Sequence, residues 1–167
     1  MGRIITEKEF PEIRARHKNQ KIVFTSGTFD LLHAGHILFF EDCKKHGDIL
    51  VVTTGRDEVI RRNKGEGRPI LNEHERLKIV SSLEVVDYCA MERNLYEDSL
   101  KHLELIFKEL QPDAYVVNED AFNIPYRKQV SRDHGVELVI LKRWHPPEFD
   151  GISTTNIIEK IKRLSSQ

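Results

Sequence analysis

Two histidines three residues apart, His33 and His36, with Gly35 between them, are the first residues in this chain whose types and spacing suit chemistry. An imidazole pair at i and i+3 shares one face of a helical turn. If that turn opens a helix, the pair stands beside unpaired backbone N–H groups and the positive end of the macrodipole, which is a place to hold phosphate. Capping or a core hydrogen-bond network is the plainer reading of an isolated His-x-x-His pair, and a metal site would need a further ligand. The surroundings favour phosphate. The apolar run Lys21-Ile22-Val23-Phe24 reads as a strand, Gly27 to Asp30 as a glycine turn, and Ile37 to His46 as the following helix. The histidines therefore sit at the carboxyl end of a strand, the usual ligand position in open α/β sheets, and Gly27 and Gly35 let a ligand approach the backbone with no Cβ in the way.

The elements that must position these groups follow in order. Thr6-Glu7-Lys8-Glu9 fits a capping box ahead of a short charged helix with Pro11 in its first turns, so residues 1–20 are expected to form an N-terminal helical arm on a domain spanning 21–167. Asp48 to Thr54 reads as a buried second strand, ending at Gly55-Arg56-Asp57 before a helix over Glu58 to Arg62. A basic, glycine-punctuated loop, Arg61 to Pro69, has the mobility and charge to clamp a polyanion, or is solvated surface. Asn72 is the expected N-cap of a helix to Leu83, Val85 to Cys89 a short third strand, and Tyr96 to Leu110 an amphipathic helix ended by Pro112. Asp113 to Val117 forms a fourth strand delivering Asn118-Glu119-Asp120. Ile124 to His134 is the next helix, and Val136 to Leu141 the fifth strand. A proline-stiffened loop with Trp144 leads to Gly151-Ile152-Ser153-Thr154-Thr155-Asn156, hydroxyls at a helix start. Strands separated by helices imply an α/β, Rossmann-like fold, a doubly wound five-stranded parallel sheet ordered 3-2-1-4-5, with the site at the switch beside strand 1.

His33-Ala34-Gly35-His36, preceded by Gly27-Thr28-Phe29-Asp30, resembles the HxGH signature of the nucleotidyltransferase superfamily, most closely its cytidylyltransferase-like branch. Lys64-Gly65-x-Gly67-Arg68-Pro69 resembles the loop by which sugar-phosphate nucleotidyltransferases reach the triphosphate. Gly151 to Ile158 resembles the Ile-Ser-Thr-Ser/Thr-x-Ile motif, which holds the β- and γ-phosphates, and the likeness covers roughly residues 21 to 163. It implies nucleotidyl transfer from a nucleoside triphosphate, with Mg²⁺, to a phosphorylated small molecule, pyrophosphate leaving. His33, His36 and Lys64 would be catalytic. Gly27, Thr28, Phe29, Gly35, Arg68, Arg76, Ser153, Thr154 and Thr155 would bind nucleotide or phosphate. Asp30, Asp57, Asn118, Glu119, Asp120 and Arg143 would face the acceptor, the base or the phosphates. Asp57 equally suits a helix cap, and Arg76 a nearby carboxylate.

The substrate pair is the least determined. Glycerol-3-phosphate cytidylyltransferases carry Gly-Asp-Asp-Trp after the fourth strand and heptose-phosphate adenylyltransferases Lys-Gly-Gly-Asp-Tyr. This chain keeps Glu119 and Asp120 but has Asn118 and Ala121 around them. Gly151 to Thr155 and the acidic Glu119-Asp120 look more like the glycerol-3-phosphate type, Lys64 to Pro69 and Ser153 to Ile158 more like the heptose-1-phosphate type, and the missing lysine-glycine motif tips the reading to CTP and a small phosphorylated alcohol, with an ATP-dependent heptose-1-phosphate-type adenylyltransferase as the alternative. A nucleotide-binding module without catalysis would share the phosphate motifs, although Lys64 and Arg68 argue for turnover. An aminoacyl-tRNA synthetase relative would be longer and more basic.

Composition narrows the partners. Lysine and arginine total 26 against 27 acidic residues, a net charge of −1, which argues against a nucleic-acid partner. Two cysteines, Cys43 and Cys89, lack metal or redox spacing, and neither a signal-like segment nor a membrane-length apolar stretch is present. A cytoplasmic, membrane-free protein with no bound metal of its own is expected, and a homodimer through Phe39, Phe40 or Trp144, each of which equally suits the core.

Overall fold

The structure, a computed structural model, describes residues 2–93 and 101–166. Six strands form one sheet in the order β1-β4-β3-β2-β5-β6, every pair parallel. They are β1 (Arg3–Ile5), β2 (Ile22–Gly27), β3 (Ile49–Thr54), β4 (Tyr88–Met91), β5 (Ala114–Asn118) and β6 (Glu137–Leu141). The segment β4-β3-β2-β5-β6 is the expected order 3-2-1-4-5. The sixth strand is new. Arg3–Ile5 lies beside β4, Ile4 opposite Cys89, so the N-terminal segment contributes a strand as well as its helix. Three residues are too few for a periodic signal.

The helices divide between the two faces. Helix α2 (Ala34–Lys44) and α4 (Glu73–Ser81) bury Phe40, Cys43 and Val80 against Val23, Leu50, Val52 and Cys89. Helices α1 (Phe10–Arg16), α5 (Lys101–Leu110) and α6 (Ile124–Asp133) pack Phe10, Ile13, Phe107 and Val130 against Phe24, Val51 and Tyr115 on the other face. The strands alternate between these cores with a period of two. Because both faces are covered, β3 reads Ile-Leu-Val-Val-Thr-Thr and is buried throughout.

Some boundaries move, with consequences for the site. Helix α2 begins at Ala34, three residues before the apolar pattern at Ile37, which makes His33 its N-cap. Helix α3 (Asp57–Lys64) runs past Arg62 and places Lys64 at its last turn. The third strand starts at Tyr88 because Asp87 is engaged before it: its carboxylate takes the Leu50 N–H at 2.7 Å and pairs with the Lys44 ammonium. The expected helix from Tyr96 is described from Lys101; residues 96–100 lie outside the described residues. Helix α7 (Thr154–Ser165) closes the chain. Of the three apolar residues considered for an interface, Phe40 is fully buried and packs at a tilt against Phe29, 4.8 Å between ring centres, so it is core. Phe39 is partly buried against the same cluster, and Trp144 is 69% exposed. Among the described residues no helix is long and apolar enough to cross a membrane.

Candidate functional site

The site grows from the loop joining β2 to α2. Phe29 and Leu31 have φ of +50° and +46°, a left-handed conformation that costs a residue with a Cβ about 1 kcal/mol or more. Asp30, between them and 1% exposed, holds that conformation. Its carboxylate accepts hydrogen bonds from the Ile70 and Leu71 N–H groups, each at 2.9 Å, and from Arg68 Nε at 3.0 Å, while its backbone carbonyl accepts the Thr154 hydroxyl at 2.8 Å. One buried aspartate thus joins the histidine loop, the segment after the basic loop and the start of α7. Both oxygens are occupied, so Asp30 positions the site, where the sequence alone suggested contact with acceptor or base.

Opening α2 at Ala34 puts both imidazoles at its N-terminus. The rings stack with centres 3.9 Å apart and planes at 27°. The Phe29 ring meets His36 edge-on at 5.6 Å. The backbone N–H of His33 points to Nδ1 of His36 at 3.4 Å, which makes Nδ1 the acceptor and leaves the proton of a neutral His36 on Nε2. Burial, then the charges of His33, Arg143 and Lys64, push His36 down to about 3 against a weaker opposing pull from Asp30. Burial and then Arg143 lower His33 as well. At neutral pH both rings are uncharged, and His33 Nδ1 is a buried nitrogen without a hydrogen-bond partner among the described residues. Buried polar atoms seldom stay unpaired in a finished structure.

The glycines serve the site's own packing. A Cβ on Gly27 would lie 2.8 Å from Cζ of Phe29, and one on Gly35 would lie 3.2 Å from the His33 ring and 3.4 Å from Ile152. Close approach is needed as the sequence implied, but the approaching groups are Phe29, His33 and Ile152. The Ile152 contact and the Thr154–Asp30 bond bring the N-terminus of α7 against that of α2, so two sets of unpaired N–H groups converge. Ser153 caps α7, its oxygen accepting the Asn156 N–H at 3.1 Å, whereas Thr155 is exposed.

Arg76 is a buried hub. At 0% exposure it donates to the carbonyls of Leu71 (3.1 Å), Thr28 (2.7 Å) and Gly55 (2.7 Å) and pairs with Asp57 at 2.7 Å. This fixes Thr28 at the end of β2 relative to Gly55 at the end of β3. Arg76 takes the nearby-carboxylate role with Asp57 as its partner, and Asp57 is the first residue of α3 rather than its cap, which is Arg56. Lys64 ends α3 near this hub. Burial and then the charge of Arg68 lower its ammonium, with Asp30 opposing, and its field reaches His36.

On the β5–β6 side, Asn118 ends β5 opposite Leu141. The Arg143 N–H donates to Glu119 at 3.2 Å, and the Arg143 guanidinium pairs with Asp120 at 2.8 Å, both side chains more than half exposed. Pairing does not remove Arg143 from the site, since its charge lowers both histidines. Two residues beside the site, Glu73 and Glu92, carried no sequence signal of their own. Glu73 holds Arg56 at 2.8 Å and the Asp57 N–H at 3.0 Å, and Glu92 is reached only through the sheet register.

The pair of neutral imidazoles, the two helix N-termini and the cations Lys64 and Arg143 together offer hydrogen-bond donors and positive charge of the kind that suits a polyphosphate. The cytidylyltransferase-like family profile matches residues 24–160. The bifunctional proteins HldE of Helicobacter pylori (strain HPAG1) and Helicobacter hepaticus are 43% identical over 148 residues and 36% identical over 162, covering 88% and 97% of this chain but 29% and 31% of their own lengths. The chain thus spans about three tenths of those curated relatives. A crystal structure of the lipopolysaccharide core biosynthesis protein of Thermoplasma volcanium superposes with a TM-score of 0.61 at 31% identity, covering 76% of this chain and 98% of that one. Francisella tularensis pantoate-β-alanine ligase, at 19% identity and a TM-score of 0.66, shares the fold alone. By profile, by identity and by the arrangement of its histidine loop, the chain belongs to the cytidylyltransferase-like family and is a nucleotidyltransferase.

Proposed function

We propose that this nucleotidyltransferase uses ATP and adenylylates a sugar 1-phosphate of the heptose type. The observation that carries the reading is the run of curated relatives named HldE along nearly the whole chain. The heptose-type features of Lys64 to Pro69 and Ser153 to Ile158 point the same way. Gly151 to Thr155 and Glu119-Asp120 resemble the glycerol-3-phosphate type, and the missing lysine-glycine motif after β5 tips the sequence reading to CTP; these local features weigh less than identity spread over the chain.

An oxygen of the acceptor phosphate attacks the α-phosphorus, a new P–O bond forms, and the bond to the β-phosphate oxygen breaks with its electrons on departing pyrophosphate. The protein supplies position and charge. His36 Nε2–H and His33 donate to oxygens of the transferring group, Lys64 and Arg143 neutralise the tail, and the α7 N-terminus with Thr155 receives the terminal phosphates. Asp30, Arg76 and Asp57 hold these groups in register. Mg²⁺ is part of the substrate, MgATP. In this reading phosphate oxygens and water would be its ligands.

Thermal-shift titration with the four common triphosphates, each with Mg²⁺, tests the base. ATP at 100 times its dissociation constant should stabilise by about 2.7 kcal/mol, and CTP by far less. Stabilisation by CTP with none by ATP would return the reading to a cytidylyltransferase.

A further inference from the structure

The sheet ends on an open edge. Strand β6 has a neighbour, β5, on one side only, and it is less buried than β2 to β5, with Leu138, Val139 and Leu141 partly covered and Ile140 37% exposed. The bonds to β5 fix which of its main-chain groups face outward. The Glu137 N–H donates to the Asp113 carbonyl at 3.1 Å, and the Leu141 carbonyl accepts the Glu119 N–H at 2.8 Å. Glu137, Val139 and Leu141 therefore turn their N–H and C=O groups to β5, and by the period of two those of Leu138, Ile140 and Lys142 point away from it. The Arg143 N–H turns back to Glu119 at 3.2 Å, which keeps the alternation. No hydrogen bond from another described residue reaches the outward groups.

An edge of this kind is a template for another strand unless proline, a bulge, brevity or charge blunts it. The far edge is blunted by brevity, since β1 has only three residues. Strand β6 contains neither proline nor glycine, and its one charged outward residue, Lys142, lies just past its end. The pattern is also self-complementary. About a two-fold axis at Ile140, an antiparallel second copy sets Ile140 opposite its own equivalent and Leu138 opposite the second copy's Lys142, pairs that exchange both main-chain bonds. Between them Val139 lies opposite the second copy's Leu141, and Glu137 opposite the second copy's Arg143, an opposite-charge cross-strand pair. Lys21 holds Glu137 at 3.2 Å and Asp120 holds Arg143 at 2.8 Å, with Glu137 60% and Arg143 55% exposed; a guanidinium has donors for a second carboxylate. The same register brings Trp144, 69% exposed, beside the second copy's Val136.

We propose that the outer edge of β6 docks a second copy of this chain, joining the two sheets into one across an isologous interface centred on Ile140. Identical strands satisfy the main-chain groups, the charges and the apolar side chains together, with no further protein. The assignment is independent of which triphosphate and acceptor are used. It has one consequence for the site. Arg143, whose charge reaches His33 and His36, is flanked in the dimer by the second copy's Glu137, so the interface ends where the phosphate groups are held.

Sedimentation equilibrium of the full chain over a wide concentration range tests it. Wild type should approach twice its 19.5 kDa mass. Ile140→Lys, which sets like charges across the axis, should weaken the dimer at least a hundredfold with a melting temperature near wild type, and Glu137→Arg should weaken it about tenfold or more, the loss expected of an opposed pair turned repulsive. A wild type that stays at 19.5 kDa, or a dimer unaffected by Ile140→Lys, would overturn the assignment, and unchanged association in Glu137→Arg would overturn its register. Amide hydrogen exchange supplies a readout that needs no variant. The N–H groups of Leu138 and Ile140, which have no acceptor within their own chain, should exchange slowly in the dimer and speed up on dilution in step with dissociation. Fast exchange of both amides at every concentration would overturn the assignment even if Ile140→Lys does not fold.

Discussion

Replacing His36 with alanine is expected to lower kcat by about two to four orders of magnitude, the range for a lost transition-state donor in a preorganised site. Because Nδ1 accepts the His33 N–H, the donor is Nε2–H. It is fixed before substrate arrives, so it costs no reorganisation as charge shifts onto the leaving oxygen. Loss of a contact that strengthens in the transition state lowers kcat and kcat/KM together and leaves KM nearly unchanged. The same residue gives a pH signature. Its folded value of about 3 lies below the unfolded reference of 6.5, so between these values the unfolded chain binds the extra proton. Stability therefore rises with pH across that window and is lost as pH falls through it. His36→Asn should flatten that slope in urea titrations between pH 4 and 6.5. Turnover within tenfold of wild type in His36→Ala would remove the histidine from the chemistry.

The second large effect falls on stability. Arg76→Met should destabilise the fold by about 3–5 kcal/mol, the usual cost of removing one partner of a buried ion pair. Four contacts end at once, and Asp57 is left 17% exposed without its cation. Arg76→Lys should also cost more than 1 kcal/mol, because a single ammonium cannot reach carbonyls on three loops as the planar fork does. Since the hub aligns Thr28 with Gly55, nucleotide affinity should fall with stability. Urea unfolding monitored by circular dichroism measures the change, and a loss below 1 kcal/mol would mean the loops are held elsewhere.

The order β4-β3-β2-β5-β6 was legible because β3 and β5 are apolar runs punctuated by polar strand ends, and the histidine motif lies at such an end, after β2. Other features were hidden for physical reasons. Arg3–Ile5 is a strand only because β4 offers an edge. His33 became a cap, and α2 started early, because the hydrogen bonds of Asp30 fix the loop before it, which no local periodicity records. Asp30 and Arg68 read as ligand-facing by motif and Asp57 and Arg76 as either ligand-facing or internal, and tertiary contacts pair all four with one another or with backbone. Sequence spacing can show that a charge is near a site; which partner it takes depends on loops far apart in the chain, as in Asp30 with Leu71 and Thr154, 41 and 124 residues away.

The account stands most directly on a pyrophosphate-release assay of wild-type protein with MgATP, MgCTP, MgGTP or MgUTP, each with and without heptose 1-phosphate. It predicts pyrophosphate only when triphosphate and sugar phosphate are both present, equimolar with a nucleoside diphosphate sugar, and fastest with ATP. Tight triphosphate binding with no pyrophosphate released from any pair would contradict it.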